Sequence, residues 1–119
     1  MWDKRAYLVT VHDGDTVTVV LDQGFGDWKR IKVRLLGVFA PELSQPGGPE
    51  CRAFVQAWMD EQKGPTWPLL VVTSRTADHE TQTFDRYVCT VSNLTGTRCL
   101  NADVVDFIQA NGYGGGVGA

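Results

Sequence analysis

Residues 5–12 (RAYLVTVH) and 15–21 (DTVTVVL) alternate apolar and polar side chains, and Asp13-Gly14 between them is a strong short turn signal. The two runs read as a β-hairpin. After a break from Asp22 to Asp27, where Gly24 and Gly26 interrupt the pattern, alternation resumes over residues 28–38 with Ile31, Val33 and Leu35 on one face. Arg30, Lys32 and Arg34 share the other face, because alternate residues of a strand point the same way.

A loop rich in Ser, Gln, Pro and Gly follows, and Pro49 and Glu50 then suit the first turn of a helix predicted over Pro49–Gln62. Phe54, Val55, Trp58 and Met59 fall on one helical face, as residues packed on a sheet would. Gly64, Pro65 and Pro68 end that helix and lead into a strand, LLVVTSR. A polar loop is expected at residues 76–83, and FDRYVCTV, the turn NLTG and the short TRCL predict another hairpin. Asn101 is expected to cap a last helix, with Leu100 and Val105 as a hydrophobic staple and Gly112 as its stop. Five strands, with one helix between the third and fourth and another after the fifth, can close as a small OB-like barrel. The expected fold is mainly β with α, as a single domain over residues 1–113, with a flexible Gly-rich tail at 114–119.

At 119 residues the chain holds one core, and its 43% hydrophobic and 21% charged content is ordinary for a globular domain. No apolar run is long enough to cross a bilayer, and no secretory signal is visible, so a cytoplasmic protein is expected. A net charge of -3 weighs against tight nonspecific DNA binding, which needs a broad basic surface. Cys51, Cys89 and Cys99 contain no CxxC pair and suit neither a disulfide framework nor a zinc site. Were the last hairpin to fold about Asn93–Gly96, Cys89 and Cys99 could face each other on paired strands.

The stretch Val33–Leu43, VRLLGVFAPEL, sets Arg34 in a strand that runs into a turn ending in Pro41 and Glu42. A fixed cation and a carboxylate at one strand end are what a phosphate-ester site needs. Asp13 and Asp15 in HDGDT and Arg86 in FDRYV complete the polar residues of interest. Taken singly each has a bland account: Asp-Gly turns are common, and strand arginines and loop acids are usually solvated.

Taken in order, DGDT, RLLGVFAPE, GPE and FDRYV resemble the thermonuclease (staphylococcal-nuclease-like) family from about Val9 to Gly112, and VRLLGVFAPEL with GGPE looks like its small phage-encoded members. The resemblance implies an OB barrel with packed helices and a calcium-dependent nuclease. Asp15 and the Ala40 backbone carbonyl would ligate calcium, Glu42 would act on the attacking water, and Arg34 and Arg86 would bind the scissile phosphate. Such residue types make chemical sense, since a hard cation and guanidinium forks neutralise the oxygens of an anionic ester.

Two departures stand out. Phe39 occupies the place of the family's second metal-binding aspartate, with Ala40 where threonine is usual, and Asp85 precedes the second arginine in place of glycine. Metal affinity is expected to fall, with Asp85, Asp13 or Glu50 as substitute ligands. Two functions follow: a metal-dependent phosphodiesterase on single-stranded DNA or RNA, or an inactive module that holds a nucleotide or other phosphorylated ligand, with Phe39 touching it. A purely structural or partner-binding domain is a third, supported only by the acidic pI. His12 and His79 have no spacing that assigns them chemistry, and Trp2, Trp28 and Trp67, which could stack a base if exposed, are expected in the core.

Overall fold

The computed structural model describes residues 3–73 and 86–113, with position 86 described by its backbone alone. Trp2, His79, Asp85, the loop expected at 76–83, the tail at 114–119 and the side chain of Arg86 lie outside the described residues. Five strands close a barrel in the order β1-β2-β3-β5-β4: β1 Asp3–Asp13, β2 Thr16–Asp22, β3 Trp28–Leu35, β4 Leu69–Thr73 and β5 Arg86–Asn93. Helix α1 (Gly48–Glu61) joins β3 to β4, and α2 (Leu100–Asn111) follows β5. This is the expected OB-type barrel with two helices.

Closure depends on β1 and on one parallel pairing. The first half of β1 pairs with β4 and the second half with β2, with register shifts between Leu8 and Thr10 and between Val11 and Asp13. Such irregularities bend a strand, which lets β1 serve both neighbours. Strands β3 and β5 run parallel, with Lys32 opposite Arg86 and Arg34 opposite Val88. The barrel is filled by the alternating residues the sequence marked: Val17, Val19, Leu21, Ile31, Val33 and Leu35 are all 2% exposed or less. Helix α1 buries Cys51, Val55, Trp58 and Met59 against it, while Phe54 stacks on Phe107 of α2 at 4.4 Å between ring centres.

Several local expectations change. The third strand stops at Leu35, where Gly37 at φ 77° turns the chain. Asn101 does not cap α2. Cys99 holds the cap position without a side-chain cap bond, and Asn101 lies buried in the first turn. Its Oδ1 accepts the Val91 amide at 2.9 Å, and its Nδ2 donates to the carbonyls of Leu36 (3.0 Å) and Cys89 (3.1 Å). Buried backbone groups of β5 and of the β3 exit, which would be costly to leave unpaired, take this side chain away from the helix end. Gly112, at φ 65°, ends α2 as expected.

Cys89 and Cys99 do not face each other. The Asn93 amide donates to the Arg98 carbonyl, which sets Ser92 opposite Cys99. Cys89 points into the barrel, and burial pushes its thiol up to about 12. Trp28 is also not in the core: it is 64% exposed on β3, whereas Trp58 is buried.

Candidate functional site

The turn between β1 and β2 is the lowest layer of the site. Asp13 pairs with Thr16, so the loop residues are Gly14 and Asp15 rather than Asp13 and Gly14. Neither has a positive φ. Glycine is needed here for volume: a Cβ on Gly14 would lie 2.6 Å from the Ala40 Cβ and 2.7 Å from the Cys51 Cβ. The turn is therefore pressed between the loop after β3 and the start of α1.

That pressure brings Asp15 under the loop. Its backbone carbonyl accepts the Leu35 amide at 2.8 Å, and its own amide donates to Asp13 Oδ1 at 3.0 Å. The carboxylate of Asp15 accepts the Thr16 hydroxyl at 3.0 Å on one oxygen and the Ala40 amide at 3.2 Å on the other. Burial, then the hydrogen bond and negative charge of Asp13, raise the Asp15 pKa to about 6, against the opposing pull of the Thr16 and Ala40 donors. The Ala40 peptide thus meets Asp15 through its N–H.

Arg34 stands opposite Thr16 across the β2–β3 ladder, beside this turn. Its guanidinium carbon lies 5.2 Å from the centre of the Phe39 ring, and it forms no ion pair among the described residues. A ring that faces a guanidinium steadies it by about 0.5–1 kcal/mol at an open site and leaves its in-plane N–H donors available. Phe39 is 42% exposed. The position that the resemblance gives to a metal-binding acid here supports the phosphate-binding candidate instead.

Glu42 follows on the same loop and is exposed. The Glu42 amide donates to Gln45 Oε1 at 2.9 Å, and its carbonyl accepts the Gln45 amide at 2.8 Å. A Cβ on Gly48 would collide with the Glu42 carbonyl oxygen, so Gly48 lets the loop pack on the first residue of α1. The Glu42 backbone is held, while its carboxylate makes no hydrogen bond or ion pair with a described residue. Gln45 and Gly48 were not singled out from the sequence. The GGPE run did mark Gly48 as a residue at a helix start, but nothing local says that it must admit the Glu42 carbonyl.

Glu50 is exposed in the first turn of α1. Next to it, the Cys51 thiol is raised by burial and then by the charges of Glu50 and Asp15. Among the described residues no group of three or more His, Cys, Asp and Glu side chains could hold a metal ion. Asp13 and Asp15 are adjacent, but calcium takes six to eight oxygens in a cage. Two carboxylates suit better an ion that keeps most of its water, as magnesium does.

Asp13, Asp15, Arg34, Phe39 and Ala40 thus converge at one end of the barrel, with Glu42 on the adjoining loop. Position 86 enters as backbone opposite Lys32, two residues before the Val88 that pairs with Arg34. No helix among the described residues is long and apolar enough to cross a membrane. No protein-family model matches the chain, and no curated protein matches it.

Proposed function

We propose that the protein is a phosphodiesterase that hydrolyses single-stranded DNA or RNA at the end of β3. The observation that carries this reading is Arg34: a guanidinium with no acidic partner among the described residues, steadied by Phe39, beside a loop that presents the Glu42 carboxylate to solvent. A cation that no described acidic residue neutralises is available to an anionic substrate.

In this reading Arg34 donates to the non-bridging oxygens of the phosphodiester and strengthens that contact as negative charge builds on five-coordinate phosphorus. Glu42 takes a proton from the attacking water, and the leaving oxygen collects a proton from solvent. Arg86 is the second phosphate ligand that the thermonuclease resemblance implies, and the pairing of position 86 with Lys32 supports it. Asp15 and Asp13 are the described carboxylates that would share a hydrated divalent ion, which when bound supplies positive charge to the phosphate.

A second reading, a module that binds a phosphorylated ligand without cutting it, is favoured by two observations. Both oxygens of Asp15 already accept hydrogen bonds, and Phe39 adds no ligand. Labelled single-stranded DNA and RNA, incubated at low salt with magnesium, manganese, calcium or a chelator, separate the two. Cleavage that needs a divalent ion and is lost in Arg34→Ala is expected. Binding without cleavage under every ion would move the assignment to the module.

A further inference from the structure

The outer face of β3 carries a pattern of which hydrolysis at one phosphodiester uses only Arg34. From the β2–β3 hairpin to the site it reads Trp28, Arg30, Lys32, Arg34, all on one side of the strand because they are alternate residues. Trp28 is 64% exposed, and its ring lies 6.2 Å from Trp67, which lies 5.3 Å from Tyr7, itself 38% exposed. Tyr7 of β1 and Trp28 of β3 lie on the strands either side of β2, where outward-facing Val20, flanked by Tyr7 and Arg30 in the ladder, is only 7% exposed. At the hairpin tip Phe25 is fully exposed and holds φ 55°, a conformation uncommon for a large side chain.

The geometry points to this face as a track for an unpaired polynucleotide: phosphates on Arg30, Lys32 and Arg34, and bases against the Trp28, Trp67 and Tyr7 rings. This rests on the proposed function above and names its substrate as a strand of several nucleotides rather than a mononucleotide. Charge complementarity selects the occupant. None of the three cations forms an ion pair among the described residues. Asp22 and Asp27 flank the Trp28 end and Asp13 and Asp15 the Arg34 end, so anionic groups are welcome only between them. Aromatic faces add a requirement for unstacked bases, which a duplex does not offer.

The test is fluorescence anisotropy with a labelled single strand of about eight nucleotides, within the range one such barrel covers. It is run in chelator so that binding is read apart from cleavage, against a hairpin duplex and a mononucleotide. The single strand is expected to bind tightest and to quench tryptophan fluorescence. Trp28→Ala should weaken it about ten-fold, the loss of one base stack, and Trp28→Phe should recover most of that. With three phosphate contacts the slope of log K against log salt should be about -2, and Lys32→Gln should reduce its size by about 0.7. Equal binding of duplex and single strand, or an unchanged affinity in a folded Trp28→Ala, overturns the track. Because cleavage is assayed separately, a strand that binds but is not cut retains the track and rejects the enzyme. A strand cut with no dependence on Trp28 or length does the reverse.

Discussion

The Gly14–Asp15 turn and the outer face of β3 meet at Arg34 and are built in opposite ways. In the turn, the Asp15 amide, carbonyl and both carboxylate oxygens are engaged, and the space a Cβ would need at Gly14 is filled by Ala40 and Cys51. Along β3, Trp28 and three cations with no ion pair among the described residues face outward, and Trp28 is more exposed than buried. The turn fixes where a reacting group would sit, because nothing in it can shift without a clash or a lost hydrogen bond. The face keeps charge and ring surface open to solvent, because its three cations form no ion pair among the described residues. Arg34 has one property of each region, steadied on Phe39 yet without an ion pair among the described residues.

The contrast can be broken by substitution. Arg34→Ala should lower kcat about 10²–10³-fold, the loss from one donor to a developing oxyanion, and Arg34→Lys should recover only part because a lysine cannot make the planar fork. Gly14→Ala should destabilise the fold by about 1–3 kcal/mol through overpacking, seen as a lower urea midpoint with unchanged slope.

Asp15 supplies a smaller effect with a defined sign. Its pKa of about 6 exceeds the ordinary value near 4, so the folded state holds the proton more tightly than the unfolded chain. That stability is fully present below about pH 4 and is lost as the pH rises through about 6. Since the site is partly open, the change is about 1 kcal/mol. Asp15→Asn should flatten this slope in thermal melts taken across the range. The smallest change is expected from Phe39→Leu, which removes about 0.5–1 kcal/mol of ring–guanidinium attraction. It should raise KM a few-fold with little effect on melting temperature.

Much of the barrel was legible in the chain, because period-two alternation at Val17, Val19, Ile31, Val33 and Leu35 follows directly from which face is buried. Helix α1 was legible within a residue at each end for the same reason. Asn101 suits a cap by its sequence position, whereas its partners at Leu36, Cys89 and Val91 come together only in the closed barrel. The general preference of tryptophan points Trp28 to the core, whereas its exposure depends on which strand face the hairpin leaves uncovered. At the site, the candidate residues were legible as a set. The placement of the Phe39 ring against Arg34 and of the Ala40 amide on Asp15 depends on how the loop after β3 folds over the turn.

Single-turnover cleavage of an end-labelled single-stranded oligonucleotide by the wild type and by Glu42→Gln, at protein concentrations that saturate binding in both, tests the central claim most directly. The expected result is a rate reduced about 10²–10⁴-fold in Glu42→Gln, the usual contribution of a general base, with affinity unchanged. An equal rate in the two proteins, or no cleavage by the wild type with any divalent ion, would contradict it.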